Sequence, residues 1–227
     1  MSANHFQPNQ SGTVTFYETN DPTGNSVTIN VKSGSGQRIG DSDLWIAVLE
    51  EAVPANYATY SFATENITST SELASSPYAL NNAFLLGRSP SNFDSLTDVA
   101  VGRNRLDAWL DDVTAAGTTD DGLLAVDNTT GGVEFESILE VGDSGAPVFV
   151  DVGDGELTIV GTNWFTVNLG AVDANGFAYV GNYDTEISNF IDANPIPELK
   201  CSSLILGILS LSIIFQRRSN RQQVKQN

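Results

Sequence analysis

Short segments in which apolar and polar residues alternate predict an all-β body for this chain. Thr13 to Tyr17 and Ser26 to Lys32 alternate in this way, and the turn formers between them predict a hairpin. The apolar run from Leu44 to Leu49 is typical of a buried strand. In the second half of the chain, the same patterns predict strands at 83–86, 99–109, 123–126, 133–138, 147–150, 157–164 and 177–180.

Two segments of the body lack the strand pattern. Residues 64–76 are rich in Ser and Thr and weakly patterned, which favours a linker. Residues 187–191 are compatible with a short helix that ends before Pro195. These features divide the chain into a first body at 1–63, a linker at 64–80, a second body at 81–193 and a tail at 194–227.

The charge is strongly acidic and unevenly distributed. The net charge is −18 over 227 residues, but all 28 acidic residues lie at or before Glu198, while five of the ten basic residues follow it. Five basic residues against 28 acidic ones leave the body at −23. Such a surface repels nucleic acid and argues against nucleic-acid binding, although a solvated acidic face without any specific partner also accounts for it. The one cysteine, Cys201, precludes an internal disulfide.

The segment from Val141 to Pro147 reads V-G-D-S-G-A-P and carries the candidate chemistry. Glycines on both sides of Ser144 permit a turn that exposes its hydroxyl. A serine nucleophile also needs a base beside it and backbone N–H groups aimed at the developing oxyanion. The amides of Gly142 and Ser144 are the candidates for this oxyanion hole, and Asp143 is placed to anchor the turn from behind. Because similar sequences occur in ordinary surface turns, the partners of the serine must decide.

This segment resembles the GDSGGP motif of trypsin-like serine proteases, with Ala146 in place of a glycine. The single histidine, His5, lies in a segment similar to the T-A-A-H-C segment that carries the catalytic histidine of that family. Asp43, before Leu44, resembles the aspartate of the family's D-I-A-L-L-x-L segment. Alone, a histidine near a chain start is most often inert, and such an aspartate is often only a turn residue. Here their order and their spacings of 38 and 101 residues approach the roughly 45 and roughly 93 of the chymotrypsin template.

The resemblance implies a catalytic triad without a metal or cofactor. In this family Ser144 would attack the peptide carbonyl, His5 would act as general base and Asp43 would orient the histidine. It also implies two antiparallel Greek-key barrels with the triad between them. Only four residues precede His5, where the family has a few tens, so we expect the first barrel to be incomplete. Either the sequence is truncated at its start, or this barrel is open and exposes strand edges.

Two further segments indicate where substrate would bind. The stretch that ends at Trp164 resembles the substrate-pairing strand V-G-I-V-S-W-G, with one residue missing and Phe165 where glycine is usual. The stretch from Gly176 resembles the family's G-V-Y-T-R-V strand. The position at the base of the specificity pocket, six residues before the serine, is Ile138. This argues against a preference for Arg or Lys and favours small or apolar side chains, although Glu140 is near. The implied substrate-binding residues are Ile138, Asn163, Trp164 and Gly176.

The tail from Pro195 differs in character from the body. It begins P-I-P-E-L, continues through residues 201–215 without a charge, and reaches Arg217 and Arg218. Fifteen residues are fewer than the about 20 that span a bilayer as a helix. The order resembles the PEP-CTERM sorting signal processed by exosortases, with Leu199 replacing the usual second proline; a generic membrane anchor is the alternative. No signal peptide is visible in Met1 to Gln10.

Together these features predict a serine endopeptidase that acts on protein or peptide substrates. The tail implies an exported protein of the cell envelope or the exterior, with an exosortase-type enzyme as partner and a short hydrophobic helix at 201–215 in the membrane. A different class remains open. A catalytically inactive protease-like protein that binds a surface or matrix component would show the same motifs.

Overall fold

The N-terminal part of the chain forms short strands in two small sheets. The computed structural model describes residues 1–7, 12–19, 24–79, 81–88, 99–127, 132–153 and 155–195. The first six strands are β1 (Ser2–Ala3), β2 (Thr13–Tyr17), β3 (Ser26–Asn30), β4 (Gln37–Arg38), β5 (Leu44–Ile46) and β6 (Ser61–Phe62). β2 pairs antiparallel with β3, which confirms the predicted hairpin. β5 lies between β1 and β4, and it begins directly after Asp43 as predicted.

The second half of the chain builds one large sheet. Its strands are β7 (Asn82–Arg88), β8 (Val99–Arg105), β9 (Ala108–Ala115), β10 (Thr118–Val126), β11 (Pro147–Asp151), β12 (Leu157–Asn168) and β13 (Asp173–Tyr179). The order in the sheet is β8-β7-β11-β12-β13-β10-β9, all antiparallel, and β6 adds to β12 in parallel. The described part of the chain is therefore mostly antiparallel β-sheet, which confirms the all-β prediction at this level.

Two strand predictions were wrong in detail. The predicted strand at 99–109 is two strands, because β8 ends at Arg105 and β9 begins at Ala108 with a different partner, β10. Between them the N–H of Asp107 donates to Leu124 O of β10 at 2.8 Å. The predicted strand at 133–138 is reduced to an isolated bridge of Glu136 to Arg103, because Phe135 has a φ of 61° and the N–H of Glu136 donates to Val133 O in a turn. A left-handed residue interrupts the extended backbone that a strand requires.

A helix lies within the segment that was predicted as a linker. Helix α1 (Thr70–Ser75) follows Ser69, whose side chain accepts a hydrogen bond from Glu72 N at 3.2 Å. Glu72 Oε2 in turn accepts from Thr68 N at 2.7 Å, so the two side chains satisfy backbone donors at the helix start. Leu73 of α1 is buried in the core. The helix therefore packs against the body rather than leaving it.

One hydrophobic core joins both halves of the described chain. Ile39, Leu44 and Ile46 belong to the same buried cluster as Val148 and Phe177 of the large sheet. Helix α2 (Asp184–Ala193) covers this core with Ile187 and Phe190, as the pattern at 187–191 predicted. Burial of each large apolar side chain stabilises the fold by about 1.5–3 kcal/mol. The segment before β5 is consequently held against the large sheet.

The tail predictions lie almost entirely outside the described residues. The last described residue is Pro195, and the uncharged run at 201–215, Cys201 and the arginine cluster lie outside the described residues. Within the residues that are described, no helix is both long enough and apolar enough to cross a membrane.

Candidate active site

The pairing of β1 with β5 brings His5 to Asp43. Ala3 lies opposite Leu44 in this ladder, and the N–H of Asn4 donates to Asp43 O at 2.8 Å. His5 follows on a single 3-10 turn (Asn4–Phe6), and its backbone N–H donates to Asp43 Oδ1 at 3.0 Å. The imidazole Nδ1 lies 2.6 Å from Asp43 Oδ2. Both carboxylate oxygens of Asp43 therefore hold the same histidine, by its backbone and by its ring.

Burial defines the chemistry of this pair. The Asp43 side chain is fully buried, whereas 18% of the His5 side chain is exposed. Burial raises the pKa of Asp43, and the hydrogen bonds and charge of His5 oppose this rise. In its ionised form the carboxylate only accepts, so it selects the tautomer in which Nδ1 carries the proton. Nε2 is then the basic nitrogen of the ring.

Ser144 lies on a turn whose glycines adopt conformations that other residues rarely take. Gly142 has a φ of 108° and Gly145 a φ of 81°, and Ser144 between them is half-buried. The N–H of Gly145 donates to Asn163 O at 2.9 Å and the N–H of Ala146 donates to Asp143 O at 3.2 Å. Within the described residues, the amides of Gly142 and Ser144 donate to no protein acceptor. These two amides are the ones that the sequence predicted for an oxyanion hole.

Asp143 is turned to the back of this loop. Its carboxylate accepts from Glu140 N at 2.8 Å and lies so close to Gly87 that a Cβ there would be 2.7 Å from it. The side chain is 7% exposed. Asn163 adds a second support, because its Nδ2 donates to Leu86 O at 2.9 Å and to Asp143 O at 3.0 Å. The predicted anchoring role of Asp143 thus has a geometric basis.

The turn at 142–145, called the serine turn below, packs directly on β1, the strand that leads into His5. Gly145 faces β1 so closely that a Cβ at this position would collide with the Ser2 hydroxyl and lie 2.9 Å from Ala3 N. His5 follows Ala3 by two residues. The structure therefore brings the segments of all three predicted triad residues together, from positions 38 and 101 residues apart.

A cavity of about 190 Å³ opens beside Ser144, lined by residues 139–144 and 163–166. Asn163 and Trp164, two of the predicted substrate-binding residues, belong to its wall. Gly176 pairs with Phe165 across β12 and β13, and the Phe165 ring covers it so tightly that any side chain there would overlap the ring. A register shift between Asn163 and Phe165 precedes this contact.

Ile138 is placed elsewhere. It lines a neighbouring cavity of about 340 Å³, which reaches Gly87 and Phe135, rather than the cavity beside Ser144. Three residues earlier, Phe135 adopts a left-handed conformation, and no local sequence signal predicts this turn. Glu140, which the sequence marked as near, lines both cavities.

Three residues that shape the site were missed or undervalued. Phe165 lies in the cavity wall, and the available sequence signal for this role is that it stands where the resembled strand usually has a glycine. Asp120 and Tyr183 contact the backbone around Asp43 and carried no signal, because the chain brings position 120 to position 43 from 77 residues away. No group of three or more His, Cys, Asp or Glu side chains in the described ranges is arranged to hold a metal ion.

Comparisons with known proteins do not decide the family. No protein-family model matches the chain, and a search of curated proteins found no match. The chemistry of this site must therefore be inferred from its residues.

Proposed function

We propose that this chain is a serine endopeptidase with the triad His5, Asp43 and Ser144. The observation that carries the proposal is that one fully buried carboxylate, that of Asp43, contacts the single histidine of the sequence twice. Asp43 Oδ2 lies 2.6 Å from His5 Nδ1, and Asp43 Oδ1 accepts from the His5 backbone N–H at 3.0 Å. Burying a carboxylate is costly unless it is paired and hydrogen-bonded. A role of Asp43 in orienting His5 as a general base accounts for a buried carboxylate bound to a histidine near the turn of Ser144.

The proposed reaction is acyl transfer. The Ser144 hydroxyl oxygen attacks the peptide carbonyl carbon while His5 Nε2 takes its proton. The carbonyl oxygen becomes an oxyanion that the amides of Gly142 and Ser144 stabilise, and loss of one such donor raises the barrier by about 2.7–4 kcal/mol. The C–N bond then breaks as Nε2 returns the proton to the leaving amine. Water, activated by the same nitrogen, releases the acyl group from Ser144.

The cavity beside Ser144 supports a preference for small or short apolar substrate side chains. Its volume of about 190 Å³ is below the 300–1,000 Å³ that is usual for small-molecule pockets. The Phe165 ring takes the space over Gly176 that a long side chain would need. Glu140, Asn163 and Thr166 are among the polar residues of the wall.

The proposal includes the fold and the location. The antiparallel sheet of β7 to β13 would be the second Greek-key barrel, and the strands of residues 1–63 the incomplete first one. The C-terminal tail would direct an exported protein to the cell envelope, with an exosortase-type enzyme acting on it and residues 201–215 in the membrane. The sequence of this tail supports its part of the proposal. Appending residues 195–227 to an exported reporter should move the reporter to the membrane fraction, and a reporter that stays soluble would contradict it.

A fluorophosphonate probe tests the nucleophile. The wild-type chain should be labelled on Ser144, and Ser144→Ala should abolish labelling. Ser137→Ala is the matched control, since Ser137 lines the neighbouring cavity and should leave labelling unchanged. Equal labelling of the wild type and Ser144→Ala would remove Ser144 as nucleophile. A folded wild-type chain that no such probe labels would contradict the enzyme and favour the protease-like binding protein.

A further inference from the structure

A third buried carboxylate, Asp120, contacts the backbone of the Asp43–His5 pair at Asp43. Asp120 belongs to β10 and is 7% exposed. Its Oδ2 accepts a hydrogen bond from the backbone N–H of Asp43 at 3.0 Å. Its Oδ1 accepts from the Tyr183 hydroxyl at 2.7 Å and from the Asp121 N–H at 2.8 Å. One carboxylate thus accepts hydrogen bonds from its neighbour in sequence and from two distant parts of the chain.

These three donors are neutral, although the acceptor is a buried acid. Burial raises the pKa of Asp120, and the three hydrogen bonds oppose the rise. An asparagine at this position has one acceptor oxygen and an NH₂ group that faces donors, so it cannot satisfy the same three groups. The site therefore requires a carboxylate specifically, at a desolvation cost that a neutral strand residue would not carry.

The position of Asp120 connects the two segments of the proposed triad. β10 pairs with β13, β13 with β12, and β12 with β11, whose first residue follows the serine turn by two positions. Asp43, in contrast, lies in the N-terminal part of the chain. The hydrogen bond between Asp120 and Asp43 fixes the backbone of Asp43 to the sheet whose strand β11 follows the turn of Ser144.

Tyr183 supports the same point from the other side. It ends the 3-10 turn Gly181–Tyr183, and its ring lies against Gly40, where a Cβ would be 3.0 Å from the ring. Gly40 belongs to the turn that leads into Asp43. The β10 ladder shifts register between Asp120 and Gly122, so Asp121 departs from the alternation and its side chain accepts from Asp112 N instead.

We propose that Asp120, together with Tyr183, is a positioning residue that sets where the Asp43–His5 pair lies relative to Ser144. The catalytic part of this inference rests on the proposed function. Asp120 touches neither substrate nor the reacting atoms and acts through the backbone of Asp43. Mispositioning of reacting groups by about 1 Å costs about 100-fold in rate. Loss of this support should therefore slow acylation of Ser144 without removing any triad member.

The single histidine makes a direct test possible. A long-range ¹H–¹⁵N spectrum of the full chain contains one imidazole, that of His5, and reports its tautomer and its Nδ1 proton. Asp120→Asn should shift the Nδ1 proton resonance upfield or broaden it by exchange, because the Asp43 carboxylate moves. Asp121→Asn is the matched control, since it removes one charge from the same bulge but leaves the three donors of Asp120 in place. A His5 spectrum of Asp120→Asn that matches the wild type would overturn the proposal.

Labelling kinetics separate positioning from the proposed activity. The rate of fluorophosphonate labelling should fall about 10- to 100-fold in Asp120→Asn and stay within about twofold in Asp121→Asn. Unchanged labelling beside a changed His5 spectrum would refute the effect on Ser144. If Asp120→Asn changes the His5 spectrum but the probe labels neither this variant nor the wild type, Asp120 still positions Asp43 and the proposed hydrolase activity is refuted.

Tyr183→Phe provides a second variant if Asp120→Asn does not fold. It removes only the hydroxyl donor and leaves the ring against Gly40. The same changes should appear in the His5 spectrum and in the labelling rate, at smaller amplitude. If both readouts of a folded Tyr183→Phe variant equal those of the wild type, the proposed role of this pair is wrong.

Discussion

Replacement of Gly145 by alanine tests how closely the serine turn packs on β1. The new Cβ would collide with the Ser2 hydroxyl and lie 2.9 Å from Ala3 N. The backbone at Gly145 also has a φ of 81°, which costs an L-residue about 1–2 kcal/mol. Overpacking of a filled site adds about 1–3 kcal/mol. The free energy of unfolding should therefore fall by about 2–5 kcal/mol.

Gly117→Ala is the matched control for this change. Gly117 has a φ of 79°, nearly that of Gly145, but no atom lies within 4 Å of its Cβ position. It should lose only the backbone part, about 1–2 kcal/mol. The difference between the two variants then measures the collision alone. Urea denaturation followed by tryptophan fluorescence gives both values, since the chain has three tryptophans.

The same variant should affect activity through geometry. To relieve the collision, either β1 or the serine turn must move, and both changes alter the separation of His5 and Ser144. Fluorophosphonate labelling of folded Gly145→Ala should therefore be slower by about 100-fold, and that of Gly117→Ala unchanged. Ser2→Gly in the Gly145→Ala background should restore part of both losses. Equal stability of the two alanine variants would show that β1 does not pack on this turn.

Three further predictions concern the charge, the pH dependence and the cavity of the site. Asp43→Asn should keep the fold and strongly reduce the rate of fluorophosphonate labelling, because an amide no longer selects the Nδ1–H tautomer of His5. The corresponding change in the chymotrypsin template lowers kcat by about 10⁴-fold. A labelling rate within tenfold of the wild type would contradict the role of Asp43. Burial raises the pKa of Asp120 above its unfolded value, so ionisation of Asp120 costs the folded state more free energy than it costs the unfolded chain. The part of the stability that depends on protonation of Asp120 is therefore fully present below the ordinary value of 3.8 and is lost as the pH rises through the raised value. The difference in unfolding free energy between the wild type and Asp120→Asn, measured by urea denaturation, should therefore increase as the pH is lowered through this window. A difference that stays constant with pH would show that burial does not raise the pKa of Asp120. Phe165→Ala should open the space over Gly176. The ratio of kcat/KM for a peptide with a large aromatic side chain to kcat/KM for a peptide with alanine should then rise by about tenfold. An unchanged ratio would show that the Phe165 ring does not limit the cavity.

Local signals in the sequence were sufficient for the serine turn and for much of the β-structure. Glycines on both sides of Ser144 specify a turn because few other residues tolerate its backbone angles. Alternation at 13–17 and 26–30 specifies the hairpin, since successive side chains of a strand face opposite sides. The missed helix α1 also had a local signal, the capping pair Ser69 and Glu72. Its Ser- and Thr-rich composition concealed that signal.

Only the tertiary structure placed the partners of the serine turn and the walls of its cavity. The pairing of β1 with β5 brings His5 to Asp43, and the sheet brings Asp120 to the same point from 77 residues away. Ile138 lines the neighbouring cavity instead of the one beside the serine. Alternation and glycine spacing act over a few residues, and the sequence therefore determined most of the strands and the turn around Ser144. Strand pairing, register shifts and buried hydrogen bonds act between residues far apart in the chain, so the geometry of the site was decided only when the sheets closed on one core.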